Sequence, residues 1–293
     1  MRSIALFEQL GPGLITGAAD DDPSGIATYS QAGAQFGFSL LWTMLLTYPL
    51  MSAVQMASAH VGRVTGCGLA KNMGDLLWRP LVTFLVILLF VANTVNIGAD
   101  LAAMGDAAEL STGWSAHVLT VVFALGSLGL QMFLPYRRYA RLLKWLTLTL
   151  LAYVAVLLMV QVDWGSALRG LILPHVGSKE AVVTIVALFG TTISPYLFFW
   201  QSAQEMEQVA QDPKAAPLLD APAQARRAFR RMRVDTFSGM AISNLVALAI
   251  MIATAATLHA NGQATITTAA DAAKALQPLA GRFAVSVRSS PPC

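Results

Sequence analysis

Long runs of apolar residues alternate with short polar stretches along most of this chain. Each long run has about 20 residues, which is enough for a helix that rises 1.5 Å per residue to cross ~30 Å of hydrocarbon. The runs are continuous and do not alternate with a period of two, so they predict helices rather than the strands of a barrel. About seven membrane spans are predicted, at 10–33, 38–60, 81–103, 115–134, 142–161, 181–203 and 236–258.

The composition also indicates a membrane protein. Of 293 residues, 56% are hydrophobic and 12% are charged, and the mean hydropathy is +0.59. A soluble domain of this size needs more charge to cover its surface. We therefore expect an all-α polytopic membrane protein whose single transmembrane domain covers 1–293, embedded in a lipid bilayer.

The basic residues cluster in alternate loops between the predicted spans. The basic loops are 61–80, 135–144 and 204–235. The loop 104–114 contains Asp106 and Glu109 and no cation. By the positive-inside rule the basic loops face the cytoplasm, which also places the N-terminus inside and predicts a multi-pass protein of the inner (plasma) membrane. The net charge of +3 is thus explained by topology, and no nucleic-acid partner is predicted.

The first apolar segment contains three consecutive carboxylates and two helix-breaking residues, in the stretch AADDDPSGIA. A carboxylate at membrane depth costs ~3 kcal/mol on insertion scales, so it must face protein or water. Adjacent residues of a helix point about 100° apart, so at most two of Asp20, Asp21 and Asp22 can line one site. Pro23 disfavours helical geometry for Asp22, and Gly25 tolerates non-helical backbone. These residues predict a helix break at membrane depth.

A broken helix offers free backbone carbonyls and the negative end of a half-helix dipole. Hard divalent cations bind such carbonyl oxygens together with carboxylates. The alternative is a helix that begins after an interfacial Asp-Pro cap, with its carboxylates in water. A second interruption, from Thr191 to Pro195 in ALFGTTISPYLFFWQSAQE, comes five spans later. Paired broken helices in corresponding positions are typical of transporters with inverted repeats, so they favour a cation site.

The runs GPGLITGAADDDPSGIATYSQAGAQFGFSLLW and ALFGTTISPYLFFWQS resemble the NRAMP divalent-metal transporters. In that family the first helix carries a G-P…D-P-G-N motif and the sixth carries M-P-H-N. The resemblance covers nearly the whole chain and implies a LeuT-like inverted-repeat fold with helices one and six broken at Pro23 and Pro195. It implies a transporter with no enzymatic activity, in which the divalent metal is the substrate and no cofactor is needed. Asp22 and the Thr191 carbonyl occupy metal-binding positions.

Three residues depart from the family motifs. Gly25 stands where the family has a metal-binding asparagine, Ser194 replaces the methionine ligand, and Tyr196 replaces the histidine. Loss of the thioether removes the ligand that favours soft metals. A site of oxygen ligands suits Mg²⁺ or Mn²⁺ better than Fe²⁺. The pattern is similar to the NRAMP-related magnesium transporter branch.

Proton coupling is the second property that these departures affect. The proton route of coupled relatives uses a helix-three D-L-A-E segment and the helix-six histidine. Here Asp100 is kept, but Ala103 takes the place of the glutamate. The resemblance therefore implies uncoupled metal movement. Asp20, Asp21, Asp100 and Tyr196 are candidates for an accessory ion path, although Asp100 could instead cap or pair near the outer interface.

The chain contains no G-x-x-x-x-G-K-[ST] motif, so ATP is not an expected partner. Its last apolar stretch turns polar in residues 284–293, which we expect to be an aberrant tail of a truncated or frameshifted chain. On that hypothesis this chain alone would be an inactive fragment. No oligomeric state is predicted.

Two further alternatives stay open from the sequence. One is a channel-like or structural membrane protein, in which the three aspartates form a wet vestibule without an occluded site. The other is a sodium-coupled amino-acid symporter of the same fold, although Asp22 would repel a substrate carboxylate.

Overall fold

The computed structural model describes residues 16–17, 19–133, 153–157 and 160–262, and every regular element in these ranges is helical. The α-helices are α1 (Pro23–Phe36), α2 (Trp42–Thr65), α3 (Leu69–Leu76), α4 (Arg79–Thr112), α5 (Ala116–Phe133), α6 (Trp164–Ile172), α7 (Lys179–Thr192), α8 (Pro195–Gln211) and α9 (Ala225–Thr257). Two 3₁₀ turns, Pro222–Gln224 and His259–Asn261, flank α9. Most of the predicted span 142–161 and the predicted tail 284–293 lie outside the described residues.

Four helical stretches among the described residues are long and apolar enough to cross a membrane. They are Arg79–Glu109, Ala116–Phe133, Lys179–Gln211 and Pro222–Asn261. The third contains both α7 and α8, and the fourth contains α9 with its two flanking turns. The named helices overlap six of the predicted spans, all but 142–161, with bounds that differ by several residues.

The chain leaves helical geometry at two places that carry proline. Residues 19–20 are helical, Asp21 and Asp22 are not, and α1 starts at Pro23. Likewise α7 ends at Thr192 and α8 starts at Pro195. Proline has no N–H to donate and its fixed φ suits the first position of a helix, so each proline starts a helix while separating it from the preceding one. Both interruptions are consistent with the predicted breaks.

Helices α1 and α9 pack closely and form the centre of the described structure. A side chain at Gly33 of α1 would clash with the hydroxyl of Thr254 and the carbonyl of Met251 in α9. Small residues allow this approach of two membrane helices. The buried cluster around this contact includes Tyr29, Leu40, Leu41, Met44, Leu188, Val246, Ile250 and Met251.

A second close contact joins α2 to α8. A side chain at Gly62 would clash with the carbonyl of Ser202, and the hydroxyl of Ser58 donates to the carbonyl of Phe198. At the end of α2, Nη1 of Arg63 donates to the Ala216 carbonyl at 2.6 Å. The C-terminal end of α2 and the connection between α8 and α9 therefore lie on the same side of the molecule.

The segment 204–235, predicted as one long loop, is mostly helical. Helix α8 continues to Gln211 and α9 begins at Ala225, which leaves only residues 212–224 as the connection. The reason is local, because alanine, arginine, glutamine and methionine favour helices. The prolines that would interrupt a helix, Pro213, Pro217 and Pro222, all lie within the connection.

Candidate cation site at the helix breaks

The carboxylate of Asp22 lies at the first break and accepts hydrogen bonds on both oxygens. Its Oδ1 accepts from the backbone N of Gly25 at 2.7 Å and from Oγ of Ser24 at 2.7 Å. Its Oδ2 accepts from Nδ2 of Asn96 at 3.1 Å and from the hydroxyl of Tyr196 at 3.0 Å. A carboxylate has about four lone-pair positions, so these four donors satisfy it.

The local sequence explains how Asp22 reaches this position. Its backbone is extended, with φ −72° and ψ 168°, and its side chain caps α1. Aspartate is favoured at this position because its oxygen accepts from an N–H that the helix leaves free. A Cβ at Gly25 would lie 3.1 Å from the carbonyl oxygen of Asp20 and 3.3 Å from Oδ1 of Asp22. Position 25 therefore faces the break, and its glycine leaves room there.

Helix α4 supplies two further polar side chains, one turn apart. The amide of Asn96 donates to Asp22 and also to Oδ2 of Asp100, at 3.2 Å. Oδ1 of Asp100 accepts from the backbone N of Ser24 at 3.2 Å. Asp100 thus belongs to the Asp22 network and does not cap the outer end of α4. Asn96 was not predicted as a site residue, although its place four residues before Asp100 on an apolar helix is a usable signal.

The second break contacts the first through Tyr196. The hydroxyl of this residue, in the first turn of α8, donates to Asp22 and lies 3.3 Å from the carbonyl oxygen of Ala19. Ser194 is engaged elsewhere, since its hydroxyl donates to the Thr191 carbonyl at 2.6 Å. The structure therefore brings together Asp22, Gly25, Asp100 and Tyr196. Among the described residues no hydrogen bond joins Thr191 or Ser194 to Asp22.

Asp20 and Asp21 lie in a different environment from Asp22. Their exposed fractions are 2% and 4%. Oδ2 of Asp20 accepts from the hydroxyl of Ser243 in α9 at 2.9 Å. Oδ1 of Asp20 and both carboxylate oxygens of Asp21 have no hydrogen-bond partner. Asp22 thus has hydrogen-bond donors for both of its oxygens. Asp20 and Asp21 form a buried pair in which three of the four oxygens lack a donor.

Within the part of the chain that the structure describes, no group of three or more histidine, cysteine, aspartate or glutamate side chains is arranged to hold a metal ion. A cation here would therefore combine one or two carboxylates with carbonyl and hydroxyl oxygens. Such mixed oxygen sets are typical of Mg²⁺ and Ca²⁺ sites.

Comparison with known proteins decides the family. The model of the Nramp family, described as natural resistance-associated macrophage protein-like, matches residues 13–288. The chain belongs to the Nramp family. This confirms the resemblance seen in the motifs around the two helix breaks.

The curated relatives that are most similar to this chain include two proteins named divalent metal cation transporter MntH. The protein of Chromohalobacter salexigens is 28% identical over 94% of this chain and 63% of its own length. The protein of Aeromonas hydrophila is 29% identical over 95% of this chain and 66% of its own length. The chain therefore spans a little under two thirds of the length of these relatives.

A crystal structure of the Eremococcus coleocola manganese transporter, in complex with an aromatic bis-isothiourea substituted compound, has the same fold. Its TM-score is 0.68 at 19% identity, over 96% of this chain and 61% of that chain. This similarity confirms the predicted fold class, an all-α polytopic membrane protein with the LeuT-like transporter fold of the Nramp family.

Proposed function

We propose that this chain moves divalent metal ions across a membrane by alternating access, with the metal as its substrate. The observation that carries the proposal is the meeting of two interrupted helices at one carboxylate. Tyr196 lies in the first turn of the helix after one break, and its hydroxyl contacts Asp22 and the Ala19 carbonyl at the other. Substrate sites of inverted-repeat transporters form where discontinuous helices meet near the bilayer midplane. The names of the curated relatives support the same substrate class.

The electrostatics of the first break favour a cation. The carbonyls of Ala19 and Asp20 end a helical segment and so carry the negative end of its dipole. The carboxylate of Asp22 adds a full negative charge beside them. Two of the four donors to Asp22, the Asn96 amide and the Tyr196 hydroxyl, belong to side chains that can rotate away from Oδ2. We propose that the arriving ion takes their place.

Thr191 and Ser194 are the proposed ligands from the second helix break. Here the Ser194 hydroxyl donates to the Thr191 carbonyl, and each of the two oxygens keeps a lone pair that can bind an ion. A shift of α8 relative to α7 during alternating access would move these oxygens relative to Asp22, because Ser194 lies between the two helices.

We further propose Mg²⁺ and Mn²⁺ as substrates ahead of Fe²⁺. The residues gathered at the break offer oxygen ligands, and the position of the soft methionine ligand is Ser194. Oxygen ligands favour hard cations, whereas a thioether favours softer ones. We also propose movement without proton coupling, because Ala103 and Tyr196 replace the ionisable residues of the relay that coupled relatives use.

The proposed orientation places the N-terminus and the basic loops in the cytoplasm of a cell with a plasma (inner) membrane. The bond between Arg63 and Ala216 joins the end of α2 to the connection before the arginine-rich start of α9. Both basic regions therefore lie at one end of the helices, as the positive-inside rule requires.

The test is uptake of Mn²⁺ and of Mg²⁺ into liposomes that contain the purified chain, with internal pH followed by a dye. We expect uptake of both ions without acidification, and a loss of at least tenfold in Asp22→Asn. Glu180→Gln, which changes an exposed carboxylate, is the matched control and should transport normally.

Equal uptake by Asp22→Asn and the unmodified chain would overturn the proposed site. Uptake confined to Mn²⁺ and Fe²⁺, accompanied by acidification, would instead show a proton-coupled transporter that tolerates the substitutions at positions 25, 194 and 196.

A further inference from the structure

Asp20 and Asp21 present a physical problem that the Asp22 network does not solve. Both side chains are less than 5% exposed, yet three of their four oxygens have no hydrogen-bond partner. Burial of a polar group without a partner costs several kcal/mol, and burial of an unpaired charge costs more. Buried carboxylates in proteins are paired, protonated or bound to metal, so these oxygens are available as metal ligands.

The protein itself offers little compensation. The ion pair found among the described residues joins Arg231 to Glu205, so no described lysine or arginine pairs with either aspartate. Asp21 instead lies close enough to Asp20 and Asp22 for the three carboxylates to repel one another. The two carboxylates can ionise together only where a cation from outside the chain balances their charge.

The geometry directs Asp20, the first member of the pair, away from Asp22 and toward α9. The hydroxyl of Ser243 donates to Oδ2 of Asp20 at 2.9 Å. Asp22 instead faces α4 and α8, through Asn96 and Tyr196. The three aspartates thus serve two different surroundings, as their separation of about 100° per residue on a helix allows.

We propose that Asp20, Asp21 and Ser243 form a second binding site for a hard divalent cation, on the α9 side of the helix break. Two carboxylates balance the charge of such an ion, and the serine oxygen and water complete its shell. Mg²⁺ fits this donor set well, because it binds through one or two carboxylates and retains several waters. The inference takes only the class of ion from the proposed function, because Asp22 is not among the ligands of the second site.

The test is a count of bound Mn²⁺ ions. Electron paramagnetic resonance measures free Mn²⁺ directly, so titration of the chain in nanodiscs gives the number of ions bound. We expect two ions per unmodified chain. The double variant Asp20→Asn, Asp21→Asn should lose one ion, and Asp22→Asn should lose the other. Ser243→Ala should weaken the second site several-fold without abolishing it. An unchanged count in the double variant overturns the proposal.

Thermal unfolding provides a readout that does not depend on transport. The double variant removes two buried, repelling acids while keeping side-chain shape, so without metal it should unfold at the same or a higher temperature than the unmodified chain. Added Mn²⁺ should raise the unfolding temperature of Asp22→Asn but not that of the double variant. Equal shifts in both variants would contradict a second site.

The two proposals fail separately. Loss of transport in Asp22→Asn together with an unchanged ion count in the double variant would leave the transport site standing and remove the second site. Normal transport by Asp22→Asn would remove the proposed transport site, whatever the ion count of the double variant.

Discussion

Helices α4 and α9 are both apolar enough to span a membrane, yet they occupy opposite environments. In the most apolar stretch of Pro222–Asn261, which contains α9, 67% of the residues are buried, against 6% in Arg79–Glu109 of α4. Large side chains such as Phe90 and Val95 point outward from α4, with exposed fractions of 71% and 68%. In contrast, Met251 of α9 is fully buried.

The difference shows that apolar composition identifies a membrane helix but not its position in the bundle. Lipid is as apolar as leucine, so a hydrophobic side chain gains little by moving from lipid to protein. The position of a helix in the bundle depends instead on how closely it can approach its neighbours. Gly239 of α9 lies against Gly17, where a side chain would clash, whereas α4 presents polar groups to α1 only through Asn96 and Asp100 among its described contacts.

The largest expected effect comes from an ion pair at the start of α9. The carboxylate of Glu205 is fully buried, and Nη2 of Arg231 lies 2.5 Å from its Oε2. Arg231→Ala would leave the buried charge without its cation, so we expect a loss of about 3–5 kcal/mol in unfolding free energy. Thermal unfolding of the purified chain in detergent measures the effect. Arg227→Ala, at an exposed position, is the control, and equal losses in both variants would refute the role of the pair.

A pair of truncations tests the comparison of the two helices directly. Met251→Ala in α9 should cost about 2 kcal/mol, chiefly through the cavity that it leaves. Leu88→Ala in α4, where the side chain is 54% exposed, should change stability by less than about 0.5 kcal/mol. The same unfolding measurement reports both variants. A larger loss for Leu88→Ala would mean that α4 is covered by protein, contrary to its exposed surface.

A smaller loss than that of Met251→Ala is expected at the polar link of α4. Asn96→Ala removes the donor shared by Asp22 and Asp100, so each carboxylate loses one hydrogen bond. We expect a loss of about 1–2 kcal/mol, together with a change in Mn²⁺ affinity at the Asp22 site. Thr94→Ala is the control, because its exposed hydroxyl bonds only within α4, to the Phe90 carbonyl. Unchanged stability and affinity in Asn96→Ala would exclude a role in holding Asp22.

The features that sequence predicted depend on local chemistry. Long apolar runs fix which segments can enter a membrane, and Pro23 and Pro195 limit where helices can begin, because proline lacks an N–H. The capping position of Asp22 follows from the residues beside it. The connection predicted over 204–235 is helical at both flanks, because these flanks consist of good helix formers.

Tertiary structure alone decided how the polar residues are paired. The amide of Asn96 donates to Asp22, which is 74 positions away in the sequence. The hydroxyl of Ser243 donates to Asp20, which is 223 positions away. Apolar periodicity carries no information about such pairs, because they depend on which helices approach closely. For the same reason only the structure shows that Asp22 is satisfied by four donors while its neighbours Asp20 and Asp21 are left with unpartnered oxygens.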